Sequence, residues 1–180
     1  MRRRLFWWEA AGFLFTAALG TALHFTFAWG GGQQVLAAFS AVNESTWEHM
    51  KLLFFPVFLF SVAQLWALGR TYPNFLAVRA AAVLTGLALI PALFYTYTGV
   101  LGFHLLWADI AVFLLADLGM FYLEFRLLGT HRCAERWQQL AGLAVLWLLA
   151  FLFVYCTFQP PRLGLWRDPV TGLFGVPRSF

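Results

Sequence analysis

The chain has 180 residues, of which 62% are hydrophobic, 19% aromatic and only 11% charged. Soluble domains carry about 25% charged residues, so this composition excludes an ordinary soluble protein and indicates an integral membrane protein. The net charge of +4 does not indicate nucleic-acid binding, because the basic residues flank apolar segments. We therefore expect no nucleic-acid partner.

Five apolar segments are long enough to cross a bilayer, which takes about 20 residues per helix. We predict transmembrane helices over approximately residues 5–29, 48–68, 77–97, 104–128 and 137–158. Continuous apolar segments in lipid form helices, because lipid offers the backbone no hydrogen-bond partners. The predicted fold class is therefore an all-α integral membrane bundle of five helices. The remaining segment, 159–180, is rich in Pro, Gly and Arg, and we expect this tail to pack on the outer face.

The basic residues predict the orientation of the bundle. With the N-terminus in the cytoplasm, eight of the twelve Lys and Arg residues fall on the inner side, in agreement with the positive-inside rule. These eight are Arg2, Arg3, Arg4, Arg70, Arg79, Arg126, Arg132 and Arg136. The outer four are Lys51, Arg162, Arg167 and Arg178. We predict a multi-pass protein of the cell membrane with a cytoplasmic N-terminus, an extracytoplasmic C-terminus and an extracytoplasmic functional face.

Polar side chains are concentrated at residues 43–49, Asn-Glu-Ser-Thr-Trp-Glu-His, directly before the second predicted span. Ser45 and Glu48 have the spacing of a helix capping box, which is a purely structural explanation. That explanation leaves out Glu44 and His49. Two carboxylates, a hydroxyl and an imidazole so close together also suit a metal site or general acid–base chemistry. We keep both interpretations and take Glu44, Ser45, Glu48 and His49 as candidate catalytic residues.

Other histidines are predicted at a similar depth near the outer face. His24 lies near the end of the first predicted span, His104 begins the fourth, and Asp109 follows within it. Imidazoles with a carboxylate and an open position form a typical divalent-metal site. We predict that His24, His49, His104 and Asp109 bind a divalent ion, with zinc as the first candidate. The alternative is a set of separate interfacial histidines, since no local motif such as HxxxH fixes the geometry.

Three acidic residues form a stripe on the fourth predicted span. Asp109, Asp117 and Glu124 fall within about 80° of one another on a helical wheel. We call them the carboxylate stripe. It is either a proton or cation path or a set of interhelical contacts in which Glu124 pairs with a nearby arginine. Gln64, in the middle of the second span, is expected to form a hydrogen bond within the bundle.

The tail contains further polar candidates. Arg162, Arg167 and Asp168 suit recognition of a phosphate head group, as does the amide of Asn43 in the 43–49 motif. We take these four as candidate substrate-binding residues. The alternative is that the tail arginines only anchor the tail to lipid phosphates.

Residues 43–52 carry the pattern Asn-Glu-Ser-x-Trp-Glu-His-x-Lys-Leu. This pattern resembles the signature of an uncharacterised family of small bacterial multi-span membrane proteins, a domain of unknown function, and implies no assigned activity. The Ser45-x-x-x-His49 pair is more distantly similar to the alkaline-ceramidase and adiponectin-receptor superfamily. Those proteins are membrane hydrolases with a zinc site made of histidines, a serine and an aspartate. The present chain departs from them, with five predicted spans instead of seven and no late HxxxH pair.

Three functions remain as alternatives at this point. The first is a metal-dependent hydrolase or transferase for a lipid or lipid-linked substrate at the extracytoplasmic face, with Glu44 or Glu48 as general base. The second is a small proton- or cation-coupled transporter that uses the carboxylate stripe, with a homodimer supplying the symmetry that the repeat-free chain lacks. The third is a non-catalytic membrane module that binds a lipid or a partner.

Overall fold

The computed structural model describes residues 2–130 and 132–176, and these residues form helices and no β-strand. The helices are α1 (Arg2–Trp29), α2 (Gln34–Ala37), α3 (Thr46–Leu68), α4 (Phe75–Leu101), α5 (Leu106–Leu128) and α6 (Arg136–Phe158), followed by a 3-10 turn at Gly164–Trp166. All of the α-helices except short α2 are long and apolar enough to cross a membrane, so the predicted all-helical class and five candidate spans are confirmed. Arg178, which belongs to the predicted tail, lies outside the described residues.

The long helices pack so that the bundle has two distinct ends. Gly12 of α1 packs against Phe121 of α5, whereas Gly20, two turns later in α1, packs against Phe113. Later residues of α1 therefore contact earlier residues of α5, which means that the two helices are antiparallel. We call the end that carries the starts of α1, α4 and α6 the proximal end, and the opposite end the distal end.

The turn between α4 and α5 differs from the prediction. Helix α4 continues to Leu101, about one turn beyond its predicted end. It stops at Gly102, which adopts a left-handed conformation with φ of 79°. Helix α5 then begins only at Leu106, so His104 lies in the turn rather than in the helix. The spacing of an ideal helix therefore does not restrict how His104 approaches Asp109.

Close helix contacts depend on small residues. A Cβ atom at Gly142 of α6 would lie 2.5 Å from the backbone oxygen of Leu76 in α4, so these helices touch through their backbones. Such small-residue contacts are typical of membrane helices, which gain van der Waals packing from a close approach.

Apolar and polar side chains are distributed as expected for a bundle surrounded by lipid. Large apolar side chains such as Trp66, Trp107 and Trp147 are exposed on the long helices, whereas Lys51 and Arg79 are completely buried. Charged groups inside a membrane bundle are costly, and those that persist there generally pair with one another or serve a function. The buried charges therefore mark candidate sites inside the bundle.

Candidate functional site

The 43–49 segment is held in place by the start of α3. Ser45 is the N-cap residue of that helix, and its hydroxyl oxygen accepts a hydrogen bond from the backbone N–H of Glu48 at 3.4 Å. The reciprocal half of a capping box is absent from this described segment, because the N–H of Ser45 donates to Asn43 Oδ1 at 2.9 Å instead. The side chains of Asn43 and Ser45 thus fix the backbone of this segment, and Glu44 lies between these two residues at the surface.

His49 is oriented by the same turn. Its Nδ1 atom lies 3.0 Å from the backbone oxygen of Ser45. Since a carbonyl oxygen can only accept, Nδ1 carries the proton and the lone pair of the neutral ring lies on Nε2. Ser45 therefore orients His49 through its carbonyl group, while its hydroxyl caps α3.

Three side chains meet at the distal end of the bundle, and we call them the distal trio: His24 from α1, Glu44 from the loop before α3, and His49 from α3. Glu44 Oε2 lies 3.7 Å from His24 Nε2 and 3.6 Å from His49 Nε2. One possible ligand atom from each residue lies within 4.8 Å of the others. Ligand atoms of a tetrahedral zinc ion are about 3.3 Å apart, so small side-chain movements would allow coordination.

The electrostatics of the distal trio favour an ionised Glu44. The neighbouring imidazole of His24 holds the pKa of the Glu44 carboxyl below its usual range, and the charges of His49 and His104 act in the same direction, while burial opposes them. A metal ion requires an ionised carboxylate and imidazoles with a free Nε2, so it would bind here in competition with the protons that charge the imidazoles. The trio is also open to its surroundings, since the three side chains are 30% to 49% exposed.

His104 and Asp109, predicted as ligands of the same ion, form a separate pair. His104 Nδ1 lies 3.1 Å from Asp109 Oδ2, and the Tyr97 hydroxyl donates to the other carboxylate oxygen. The pair forms because His104 precedes α5. In a continuous helix the two side chains would point about 140° apart. The described side chains thus bring His24 and His49 together with Glu44, and bring His104 to Asp109 instead.

Glu48 is engaged in a buried ion pair. Its Oε2 atom lies 2.5 Å from Lys51 Nζ and accepts the N–H of Val42 at 3.2 Å. Lys51 Nζ also donates to the Ala37 carbonyl at 2.8 Å and to Thr157 Oγ1 at 2.9 Å. Both charged side chains are at most 2% exposed. The Glu48–Lys51 pair therefore joins α2, α3 and α6, and its burial leaves the Glu48 carboxylate no access to a substrate.

The candidate substrate residues have different environments. Asn43 Nδ2 donates to the Gly175 carbonyl at 2.9 Å and so fastens the tail to the 43–49 segment. Asp168 is buried in a tail turn, where it accepts the N–H of Val170 and the hydroxyl of Thr171. Arg162 and Arg167 are exposed, and within 2–130 and 132–176 neither forms an ion pair. Of the four, the arginines alone are free to meet a head group.

Asp117 lies midway along α5 and has no hydrogen-bond partner among the residues that the structure describes. Its side chain is completely buried, and neither carboxylate oxygen has a hydrogen-bond partner in the described part of the chain. Thr16 of α1 is equally buried and its hydroxyl also lacks a partner there. Thr16 lies midway between Gly12 and Gly20 in α1. Asp117 lies midway between Phe121 and Phe113, the residues of α5 that pack against these two glycines. The antiparallel register therefore places Thr16 opposite Asp117.

A second polar cluster lies near the proximal end. We call Glu9, Gln64, Arg79 and Glu124 the buried quartet, and they come from α1, α3, α4 and α5 respectively. Gln64 Nε2 donates to Glu9 Oε1 at 3.4 Å, and Arg79 donates to Gln64 Oε1. Arg79 Nη2 also lies 2.9 Å from Glu124 Oε1. The expected pairing of Glu124 with an arginine and the expected hydrogen bond of Gln64 are therefore both present.

Two members of the buried quartet were missed from the sequence. Arg79 was counted as an inner topology signal, and Glu9 was not considered. The available signal was helical spacing in α1, where Glu9, Gly12, Thr16 and Gly20 follow at three- and four-residue intervals. This spacing places them on one face, and a face of small and polar residues in an apolar helix points into the bundle.

Comparisons with known proteins identify a family but no activity. No curated protein and no solved structure matches the chain. The profile of a family of unknown function, DUF6512, matches residues 4–176 and so includes both the distal trio and the buried quartet. The match confirms that the chain belongs to an uncharacterised family, and the protein is a member of DUF6512.

Proposed function

We propose that the protein is a membrane-embedded, metal-dependent hydrolase or transferase that acts on a lipid or lipid-linked substrate. The observation that carries this proposal is the distal trio, whose possible ligand atoms lie within 4.8 Å of one another. Two imidazoles and one carboxylate leave a fourth position for water, as in catalytic zinc sites. A divalent ion bound there would supply an activated water and polarise a carbonyl or phosphoryl oxygen.

The His104–Asp109 pair supplies the general base in this proposal. The Asp109 carboxylate is the hydrogen-bond partner of Nδ1 of His104, so Nε2 of His104 is left to accept a proton from water. An aspartate that orients a catalytic histidine acts in the same way. His104 is 65% exposed, and its charge acts on Glu44, so it lies within electrostatic range of the trio. This assignment replaces Glu48, whose carboxylate is buried, and makes Glu44 a ligand instead of a base.

The surroundings of the distal trio support a lipid substrate. Phe25 and Trp29 follow His24 on α1, and Leu106 and Trp107 begin α5 beside His104, all with exposed side chains. These apolar groups suit acyl chains beside the metal position, and the exposed tail arginines suit a phosphate head group. Location at the extracytoplasmic face is supported by the positive-inside rule, since seven basic residues lie on the inner side and three on the outer side when buried Arg79 and Lys51 are left out.

Metal content tests the proposal directly. We expect the wild-type protein, purified in detergent without chelator and loaded with zinc, to retain about one ion per chain by mass spectrometry, because its ligand set matches a zinc site. His24→Ala, His49→Ala and Glu44→Gln should each reduce the metal content severalfold. His104→Ala is the matched control and should retain the ion. A wild-type protein without metal, or equal metal in the trio variants, would contradict the proposal.

Activity separates binding from catalysis. In a screen of phospholipid and ceramide-type substrates in mixed micelles, we expect turnover by the metal-loaded wild type. His104→Ala should keep the metal and lose about 100-fold or more in turnover, since removing a general base costs about 10²–10⁴-fold. Metal binding without turnover on any substrate would favour the non-catalytic binding module.

A second candidate function is proton- or cation-coupled transport through the carboxylate stripe. It is favoured by one observation: Asp117 is buried opposite Thr16 and has no hydrogen-bond partner in the described part of the chain. In proteoliposomes with an internal pH dye, this function predicts a flux that Asp117→Asn abolishes and His49→Ala leaves intact. The absence of flux in the wild type under both proton and sodium gradients would exclude it.

A further inference from the structure

The charges of the buried quartet do not balance. Glu9 and Glu124 contribute two carboxyl groups, and Arg79 contributes one guanidinium that stays protonated in proteins. Gln64 is neutral. Glu124, Gln64 and Arg79 are completely buried, and Glu9 is 5% exposed. If both carboxyl groups were ionised, the cluster would carry a net charge of −1 inside the membrane, where an uncompensated ion costs several kcal/mol.

The contacts show where a compensating group would bind. Arg79 is fixed between the rings of Phe75 and Phe121, with its Cζ atom 5.4 Å from each ring centroid. Its Nη2 atom lies beside Glu124. Glu9 Oε2 and Glu124 Oε2 are buried and have no hydrogen-bond partner in the described ranges, and the same holds for Arg79 Nε and Nη1. Both carboxyl groups therefore present an unsatisfied oxygen, and the guanidinium can neutralise only one of them.

We propose that the buried quartet is a binding site for one exchangeable proton, which Glu9 and Glu124 share. The carboxyl group that holds the proton becomes neutral and gains a donor, while the other remains the ion-pair partner of Arg79. Gln64 contacts both Glu9 and Arg79, and Arg79 contacts Glu124, so the two carboxyl groups belong to one buried cluster and the charge of one acts on the other. The site lies near the proximal end. It requires neither metal binding at the distal trio nor transport of an ion along the carboxylate stripe, although Glu124 belongs to both the stripe and the quartet.

Carbodiimide labelling tests the site. Dicyclohexylcarbodiimide enters membranes and adds to protonated carboxyl groups, and mass spectrometry of peptides locates the stable adduct. Within the buried quartet we expect up to one label per chain, divided between Glu9 and Glu124, and peptide mapping separates it from any label on buried Asp117. Glu9→Gln should abolish labelling at Glu124, and Glu124→Gln should abolish it at Glu9, because the carboxylate that remains is ion-paired with Arg79. Glu48 is the matched control, since it is equally buried but paired one-to-one with Lys51, and should not react.

Stability provides a test that does not depend on access of the reagent. If one proton is shared, each single glutamine variant mimics a state that already exists, and its unfolding equilibrium constant should stay within about tenfold of wild type. The double variant Glu9→Gln/Glu124→Gln leaves Arg79 buried without a counter-ion and should raise that constant about 100-fold or more.

Three results would overturn the proposal. The first is labelling of Glu124 that persists in Glu9→Gln. The second is stabilisation by more than about tenfold in each single variant, which would mean that both carboxyl groups are ionised in the wild type. The third is stabilisation of the wild type by sodium, but not of Glu9→Gln, which would assign a metal cation in place of the proton.

Discussion

The Glu48–Lys51 pair offers the sharpest test of how this bundle is stabilised. Lys51 Nζ has three protons and three buried acceptors: Glu48 Oε2 at 2.5 Å, the Ala37 carbonyl at 2.8 Å and Thr157 Oγ1 at 2.9 Å. Lys51→Met keeps most of the apolar stem but removes the charge and all three donors. The carboxylate of Glu48 then remains buried, with the N–H of Val42 and the hydroxyl of Thr157 as its hydrogen-bond donors but without a counter-ion.

The expected loss is large because an unpaired charge remains. Removing one partner of a buried ion pair typically costs about 3–5 kcal/mol, which raises the unfolding equilibrium constant by roughly two to three and a half orders of magnitude. Adding Glu48→Gln removes the stranded charge and leaves only neutral groups unsatisfied, at about 1–3 kcal/mol. The double variant should therefore be more stable than Lys51→Met alone, by about 2 kcal/mol.

Unfolding in mixed micelles, titrated with dodecyl sulfate and followed by tryptophan fluorescence, measures these differences. Arg162→Met is the control, because this exposed side chain should change the free energy of unfolding by no more than about 0.5 kcal/mol. Our reasoning is refuted if Lys51→Met costs no more than Arg162→Met, or if the effects of Lys51→Met and Glu48→Gln are simply additive.

Two further predictions concern packing and the tail. Gly142→Ala should destabilise the protein by about 1–3 kcal/mol, because its Cβ would lie 2.5 Å from a backbone oxygen, whereas Gly99→Ala, with open space around it, should be neutral or stabilising. Equal unfolding midpoints of the two variants would contradict this. Asn43→Ala removes the 2.9 Å hydrogen bond to Gly175, so trypsin should cleave the tail severalfold faster than in wild type or in Val170→Ala, an exposed control. Unchanged cleavage would show that this bond does not hold the tail.

The architecture could be predicted from the sequence because the lipid environment imposes a simple pattern. Apolar length alone identifies the five long helices, and the Ser45 cap marks the start of α3. The distal trio was predictable only in part. His24 and His49 were selected by depth, but Glu44 as their companion depends on the path of the 38–45 loop, which no helical period fixes. The same limit applies to His104, which pairs with Asp109 because α4 extends beyond its predicted end.

Buried charges were the hardest features to predict, and for a physical reason. In the sequence, Lys51 and Arg79 are indistinguishable from basic residues at a membrane surface, and both were counted as topology signals. Their burial depends on partners from other helices that are distant in the sequence: Glu124 lies 45 positions after Arg79, and Thr157 lies 106 positions after Lys51. Tertiary partners therefore decide whether a basic residue near a helix end reports orientation or forms an internal site.

The two buried ion-pair clusters differ in a way that helps to separate structure from function. Glu48 and Lys51 balance one-to-one, and every ammonium proton of Lys51 has an acceptor, so this cluster is closed and needs no ligand. The buried quartet has two carboxyl groups for one guanidinium, with oxygen atoms left unsatisfied in the described structure. Because a membrane bundle is penalised for every unbalanced charge, the imbalance is stable only when a cation joins the cluster. Charge balance, rather than burial alone, therefore distinguishes a site that binds a ligand from one that only fastens helices together.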